Sequence, residues 1–146
     1  MLSNTCKYGI RAVIYLAMNT RNDKKIGIKK ISRDLNIPTP FLGKILQSLA
    51  KQKLLSSTKG PHGGFGLGKE PDNISLLDIV LIIDGEDLFK MCLINNVSCK
   101  DFENGKTTCT MHRKLAPIRN KLKDLFEKET IGSIVRDIKK YKEIVI

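Results

Sequence analysis

Apolar residues near the N-terminus recur at the three- and four-residue spacing of an amphipathic helix. Ile10, Val13 and Ala17 lie on one side of such a helix. Ser3 precedes them at a position where its hydroxyl can cap the first turn. The pattern therefore predicts a first helix that ends near Thr20.

Two shorter amphipathic segments follow, separated by a short turn. Residues 28–35 place their apolar side chains on one face, and Asn36 can end that helix. Thr39 can cap the next helix with Pro40 at its first position, where the missing N–H costs nothing. Two short helices joined in this way predict a helix-turn-helix. The expected buried stripe of the second helix consists of Leu42, Ile45, Leu46 and Leu49.

A β-hairpin is predicted directly after the helix-turn-helix. Residues 54–57 and 65–67 have the composition of strands, and residues 59–64 between them are rich in Gly and Pro. Glycine in such a turn permits positive φ and a close approach to another backbone. A helix-turn-helix followed by this hairpin is a winged helix-turn-helix.

The remaining chain shows one buried helix, a segment without periodicity and a short final helix. Ser75 and Asp78 form a capping box before a helix that is apolar on most sides and ends at Gly85. Residues 86–110 show no period, and a long loop of this kind usually has a function. Thr130 can cap the final helix.

Between the segment without periodicity and the final helix lies a longer helix. Its apolar residues have the a/d spacing of a helix that packs on another helix. Pro117 falls within it, so the regular helix is expected either to begin close to Pro117 or to kink there. A dimer seam is the expected use of the apolar stripe. Its residues are Met111, Leu115, Ile118, Leu122 and Leu125.

The charge of the chain indicates its partner. The 146 residues include 26 Lys+Arg and 15 Asp+Glu, a formal net charge of +11 that favours nucleic acid or another polyanion. Residues 1–75 hold 13 of the basic and 4 of the acidic side chains. No apolar run could span a membrane, and residues 1–18 lack the order of a signal peptide. We therefore expect a cytoplasmic protein that binds nucleic acid and no membrane.

The second helix of the helix-turn-helix and the wing are the expected contact surface for double-stranded DNA. Residues 28–69 carry eight Lys/Arg against the single acid Asp34, although an ordinary solvated helix face is the alternative interpretation. Lysines there are suited to phosphates, while an amide, a hydroxyl and an aromatic ring can read base edges. The candidate DNA-binding residues are Thr39, Pro40, Phe41, Lys44, Gln47, Lys51, Lys59, Gly60 and His62.

A second candidate site lies in the segment without periodicity. The pattern Cys92-x6-Cys99-x9-Cys109-x2-His112 combines three thiols and an imidazole, a ligand set suited to an iron-sulfur cluster or zinc. Reduced thiols beside a surface histidine are the alternative. Cys6 is expected to be packed in the first helix, although it could also reach the loop of a partner subunit.

Several motifs resemble the Rrf2 (IscR/NsrR-like) family of bacterial transcription regulators over nearly the full length. The first helix contains Tyr8-Gly-Ile-Arg11-Ala12, and Thr130-Ile-Gly-Ser-Ile134 resembles the family's signature at the end of the long helix. The recognition helix opens with Ile37-Pro-Thr-Pro-Phe-Leu42. The wing, Ser56-Ser-Thr-Lys59-Gly-Pro-His-Gly-Gly-Phe65-Gly-Leu-Gly-Lys69, is the most specific of these motifs.

The resemblance implies a homodimeric, mainly α protein that is not an enzyme. Its fold would be a winged helix-turn-helix with a small β-hairpin wing and a long C-terminal dimerisation helix that crosses to the partner. Residues 1–85 would form the DNA-binding domain, residues 86–112 a cysteine-bearing sensor loop, and residues 113–146 the dimerisation helix and C-terminal helix. The implied target is a pseudo-palindromic operator.

The resemblance also implies a labile 2Fe-2S or 4Fe-4S cluster. Cys92, Cys99 and Cys109 match the family's cluster cysteines in order, and His112 matches the histidine ligand of the IscR-like branch. The intervals of six and nine residues are longer than the family's usual ones. One alternative is a cluster-free regulator of the same family that uses a thiol/disulfide switch, zinc, a metabolite or a protein partner. A more remote alternative is a small redox protein.

Overall fold

A computed structural model describes residues 1–20, 24–94 and 109–141. The first helix, α1, spans Asn4–Asn19, and the Ser3 side chain accepts a hydrogen bond from the Cys6 amide at its start. The helix ends where the Thr20 amide donates to the Leu16 carbonyl. The bounds and cap expected for this helix are confirmed.

The helix-turn-helix consists of α2, Ile28–Leu35, and α3, Thr39–Lys51. Asn36 adopts the left-handed conformation between them, with φ of 53°. Pro38 occupies the cap position of α3, so the expectation that Thr39 caps this helix is wrong. The Thr39 hydroxyl instead donates to Ser32 Oγ at 2.9 Å, and Ser32 Oγ donates to the Ile37 carbonyl at 2.6 Å. These two bonds join α2 to the start of α3.

The wing consists of β1, Leu55–Thr58, paired antiparallel with β2, Gly64–Leu67, in the register Leu55 to Leu67 and Thr58 to Gly64. Gly60 has a φ of +106° in the connecting turn, which supports the expectation for this glycine-rich segment. Ile26 forms an isolated antiparallel bridge with Phe65, and this bridge attaches the start of the helix-turn-helix to the wing.

After a 3₁₀ turn at Pro71–Asn73, α4 spans Leu76–Ile83 and begins with the expected capping box. Ser75 Oγ accepts from the Asp78 amide at 3.1 Å, and the Asp78 carboxylate accepts from the Ser75 amide at 2.9 Å. A four-residue helix, α5, spans Asp87–Lys90 at the start of the segment for which the sequence indicated no regular element.

The long helix α6 spans Thr110–Lys128 and contains Pro117 in its interior. It therefore begins well before the proline, so the first of the two expected alternatives, a start close to Pro117, is wrong. The last helix, α7, spans Ile131–Tyr141, and Thr130 Oγ1 accepts from the Ser133 amide at 3.1 Å as its expected cap.

A single hydrophobic core joins α1 to the helix-turn-helix, the wing, α4 and α7. Apolar side chains of all these elements are removed from water, which is the main favourable term in folding. None of the helices in the described ranges is long and apolar enough to cross a membrane. The fully buried large side chains include Leu16, Ile31, Ile37, Leu42, Leu46, Leu49, Ile74, Ile79 and Ile131.

Candidate nucleic-acid interface and cysteine site

The two sides of α3 differ sharply in exposure. Its apolar stripe, from Leu42 to Leu49, is buried in the core. Away from this stripe Phe41 is 61% exposed, so its ring is available for contact with a partner. Pro40, Lys44, Gln47 and Lys51 are exposed, and Thr39 is half-buried.

The turn between the wing strands presents a second set of exposed residues. Lys59, Gly60 and His62 all lie in it and are exposed. A Cβ at Gly63 would collide with the Thr58 carbonyl oxygen, so this position requires glycine for close packing of the turn. The wing therefore presents a cation and an imidazole on a tightly folded hairpin.

The only acid among residues 28–69, Asp34, is neutralised within the helix-turn-helix. Tyr15 Oη donates to its carboxylate at 2.5 Å, and Lys30 Nζ donates at 2.9 Å. The hydrogen bonds from Tyr15 and then Lys30 lower the pKa of Asp34. The remaining Lys and Arg side chains of this segment are thus not opposed by an unpaired carboxylate. The i, i+4 spacing of Lys30 and Asp34 is a local signal for half of this cluster, whereas no local pattern indicates the contact with Tyr15.

Two further contacts hold the helix-turn-helix and the wing in place, and no local sequence pattern indicates either of them. Arg11 Nη2 donates to the Leu35 carbonyl at 2.9 Å and satisfies the C-terminus of α2. Lys25 Nζ donates to Ser56 Oγ, which donates to the Leu67 carbonyl at 3.0 Å across the base of the wing.

The structure brings the sulfurs of two of the four predicted ligands of the cysteine site together, and His112 lies three residues after one of them. Cys92 and Cys109 are half-buried, with their Sγ atoms 3.9 Å apart. Cys109 immediately precedes α6, and the His112 amide donates to the Cys109 carbonyl at 3.1 Å in the first turn. Cys99 lies outside the described residues. Within the described ranges, no group of three or more His, Cys, Asp or Glu side chains has metal-site geometry.

The distance between the two sulfurs fits both kinds of chemistry considered for this site. Two thiolates on one tetrahedral zinc lie about 3.8 Å apart when each metal–sulfur bond is about 2.3 Å. The observed 3.9 Å is close to that value, and it is well beyond the length of a disulfide bond, about 2.0 Å. Soft thiolates also suit an iron-sulfur cluster. The donor set therefore fits a metal group or a reversible disulfide.

Cys6 belongs to a different environment. Its side chain is 0% exposed in the core beneath the start of α1. Burial, and then the charge and hydrogen bond of Asp84, raise the pKa of the Cys6 thiol to about 12. The expectation that Cys6 is packed is confirmed, and its thiol is poorly suited to act as a ligand or nucleophile.

The helix α6 exposes apolar side chains at two positions seven residues apart. Ile118 is 63% exposed and Leu125 is 52% exposed. No residue of Thr110–Lys128 is fully buried. Met111, Leu115 and Leu122, the other members of the predicted stripe, are half-buried. The stripe is therefore only partly covered within one chain.

Solved structures share this architecture. The chain matches CymR (YrzC), the global cysteine regulator of B. subtilis, with a TM-score of 0.75 and 21% identity, over 93% of this chain and 96% of that one. It matches T. potens IscR with a TM-score of 0.73 and 18% identity, over 100% of this chain and 93% of that one. These matches confirm the mainly helical, winged-helix fold.

Sequence comparison gives the family. A protein of Aquifex aeolicus (strain VF5), named among HTH-type transcriptional regulators, is 33% identical over 92% of this chain and 91% of its own length. The HTH-type transcriptional regulator IscR of Vibrio campbellii is 22% identical over 93% of this chain and 77% of its own length. The model of the Rrf2 family, described as an iron-dependent transcriptional regulator, matches residues 2–137. The chain is therefore a DNA-binding transcriptional regulator of the Rrf2 family and not an enzyme.

Proposed function

We propose that this chain acts as a homodimer that places two copies of α3 in successive major grooves of a pseudo-palindromic operator, with the wings in the flanking minor grooves. The exposed face of α3 carries the proposal. That face combines an exposed aromatic ring, an amide and two lysines opposite a buried apolar stripe. A partner of this kind would place the protein in the cytoplasm.

Each candidate residue has a role that follows from its chemistry. Lys44, Lys51 and Lys59 would contact phosphates, and the absence of a side chain at Gly60 would permit close approach of the wing to the DNA backbone. Their exposure leaves these cations available to the duplex. His62 at the wing would enter the minor groove.

Residues at the start and in the middle of α3 would supply the base contacts. Phe41 would lie against a thymine methyl group, and Gln47 would bond a base through its amide. Thr39 and Pro40 open the helix at the point where recognition helices approach base edges. The bond from Thr39 to Ser32 would hold the Thr39 hydroxyl in a fixed position at this surface.

Alanine substitutions distinguish phosphate contacts from base contacts. Lys44→Ala and Lys59→Ala are each expected to weaken binding to every duplex about tenfold and to lower the salt slope, because each removes a phosphate contact from both protomers. Gln47→Ala is expected to leave the salt slope unchanged and to alter which sequence is preferred. Fluorescence anisotropy over a salt series on several duplexes measures both properties. Equal behaviour of all three variants would contradict the division of roles.

The proposed input is an iron-sulfur cluster held by Cys92, Cys99, Cys109 and His112. Such a cluster supplies reversible redox chemistry and sensitivity to oxygen, nitric oxide or iron supply. The two described cysteines lie on the segment between α4 and the long helix α6. A change in the ligation of their thiols would therefore reorder residues 86–112 and alter how the two DNA-binding halves of the dimer are placed.

A cluster-free thiol switch is the second candidate for the input. The 3.9 Å separation of the Cys92 and Cys109 sulfurs supports it, because only a small movement joins them in a disulfide. Oxidation would then change the conformation of the same segment without a metal. Zinc bound by these thiols would be a variant of the metal-bound state.

Anaerobic purification distinguishes the two inputs. The cluster predicts a visible charge-transfer band with matched iron and sulfide, both lost in Cys109→Ala and in Cys99→Ala. Cys6→Ala is the matched control and should retain the band, since the Cys6 thiol is fully buried and its raised pKa makes it a poor ligand. A colourless protein that also fails cluster reconstitution would overturn the cluster. Zinc analysis and disulfide mapping of the same preparations would then identify the alternative.

A further inference from the structure

One stripe of α6 faces α5 and the residues that follow it. His112, Arg119 and Phe126 are spaced seven residues apart, so they lie along the same side of α6. The rings of Phe89 and Phe126 meet edge to face, with centroids 6.2 Å apart and planes at 85°. This aromatic contact docks α5 on the C-terminal half of α6.

The next contact along this stripe involves the backbone beside Cys92. Arg119 Nη2 donates a hydrogen bond to the Met91 carbonyl oxygen. The helix α5 ends at Lys90, and the Met91 amide caps it by donating to the Asp87 carbonyl at 3.0 Å. A charged donor makes the bond from Arg119 stronger than one between neutral groups. The bond fixes the chain one residue before Cys92.

At the N-terminal end of α6, the Cys92 side chain lies next to that of Cys109. Its Sγ atom lies 3.9 Å from that of Cys109, which is the residue just before the helix. The residues after Cys92 are poorly buried, since Leu93 is 65% exposed and Ile94 is 64% exposed. Packing of these two side chains therefore contributes little to fixing the position of the thiol.

We infer that Arg119 is a positioning residue for the cysteine site, holding Cys92 beside Cys109 through the Met91 carbonyl. The inference deepens the proposed function and rests on it, because it gives α6 a role in the thiol chemistry as well as in dimerisation. Arg119 would act equally on a metal-bound and a disulfide form, because both require the two sulfurs to be close.

Disulfide formation in the metal-free protein measures this positioning directly. The thiolate of Cys92 or Cys109 attacks glutathione disulfide and releases one glutathione, and the other thiolate then displaces the second. The two protein thiols together lose two protons and two electrons, and glutathione disulfide is reduced to two molecules of glutathione. The equilibrium constant of this exchange reports how often the two sulfurs meet.

The experiment compares variants in a Cys99→Ala background at fixed ratios of reduced and oxidised glutathione. Mass spectrometry quantifies the disulfide between Cys92 and Cys109, which we call the pair. Arg119→Met is expected to lower the equilibrium constant about tenfold, because it retains the aliphatic stem but loses the donor. Arg119→Lys retains a charged donor and is expected to remain within about threefold of the parent. Arg113→Met is the matched control for the lost charge, since Arg113 is exposed on the same helix.

The outcomes separate this inference from the proposed function. If the pair forms in the parent but Arg119→Met behaves like Arg113→Met, the inference is wrong and the thiol site stands. A fall in Arg119→Lys as large as that in Arg119→Met would also overturn it. If the Cys99→Ala parent forms no disulfide between Cys92 and Cys109, and the protein with all four cysteines binds neither a cluster nor zinc, the proposed input fails and the inference fails with it. Arg119→Gln, too short to reach the carbonyl, should show the same fall as Arg119→Met and replaces it if that variant does not fold.

Discussion

Ile118→Glu is expected to convert the proposed dimer to a monomer and to weaken its binding to a two-half-site operator by about 10²- to 10⁴-fold. Ile118 is 63% exposed on α6, and a dimer that covers it would bury the introduced carboxylate in an apolar seam. The loss of affinity follows because each monomer then binds one half-site alone. Size-exclusion chromatography with light scattering measures the mass, and anisotropy measures the affinity.

Asn120→Glu is the matched control for this substitution. It introduces the same side chain at an exposed position of α6, two residues away and therefore on a different side of the helix. We expect this variant to remain dimeric and to bind the operator nearly as well as the parent. Leu125→Glu should reproduce the effect of Ile118→Glu, because Leu125 lies on the same stripe. A dimeric Ile118→Glu protein would show that another surface forms the dimer.

Cys6 in the native protein is expected to react with iodoacetamide at pH 8 at least about a thousandfold more slowly than Cys6 in urea. The thiolate is the reactive form, and burial followed by the charge and hydrogen bond of Asp84 raises the pKa of Cys6 from 9.0 to about 12. Quantitative mass spectrometry of the Cys6 peptide over time measures the two rates. A rate in the native protein within tenfold of that in urea would show that the thiol is accessible and ionised.

The raised pKa of Cys6 also makes the stability of the folded protein depend on pH. A group whose pKa is raised by folding contributes stability below its unfolded pKa, and this contribution is lost as the pH rises through the folded value. For Cys6 the contribution is therefore complete below about pH 9 and is lost progressively between pH 9 and about 12. Cys6→Ala should reduce this part of the alkaline loss of stability.

The elements with strong local signals are those that the sequence predicts correctly. The first helix follows from its apolar period and the Ser3 cap, and α4 follows from the capping box of Ser75 and Asp78. Gly60 has the positive φ that the wing requires. In each case a few neighbouring residues contain the whole physical reason for the structure.

Other features depend on contacts that no local pattern shows. Thr39 does not cap α3, because Pro38, whose φ is fixed, occupies the cap position. The Thr39 hydroxyl instead donates a hydrogen bond to Ser32 across the turn. The four residues of α5 are too few to display a helical period. The Arg11 to Leu35 contact joins residues 24 apart in sequence, and spacing alone gives no signal for it.

The candidate sites also have some features that follow from local sequence patterns and others that depend on tertiary contacts. The types and order of the cysteines predict a thiol site from the sequence, but the 3.9 Å approach of Cys92 to Cys109 depends on how α5 docks on α6. The exposed face of α3 follows from its period, whereas the hydrogen bond that the Asp34 carboxylate accepts from Tyr15 comes from another helix. Residue type and period therefore locate a site, and tertiary contacts decide its geometry and charge.

Selection of bound duplexes from a random pool, performed with the anaerobically purified protein, tests the central claim most directly. The account predicts enrichment of a two-fold symmetric site whose half-sites are about one helical turn apart, or a multiple of it. It also predicts that affinity for that site falls linearly with the logarithm of salt concentration, and that the affinity changes when the thiols of Cys92 and Cys109 are oxidised or lose their metal. A pool without enrichment, or an enriched site whose affinity is indifferent to the state of these thiols, would contradict the account.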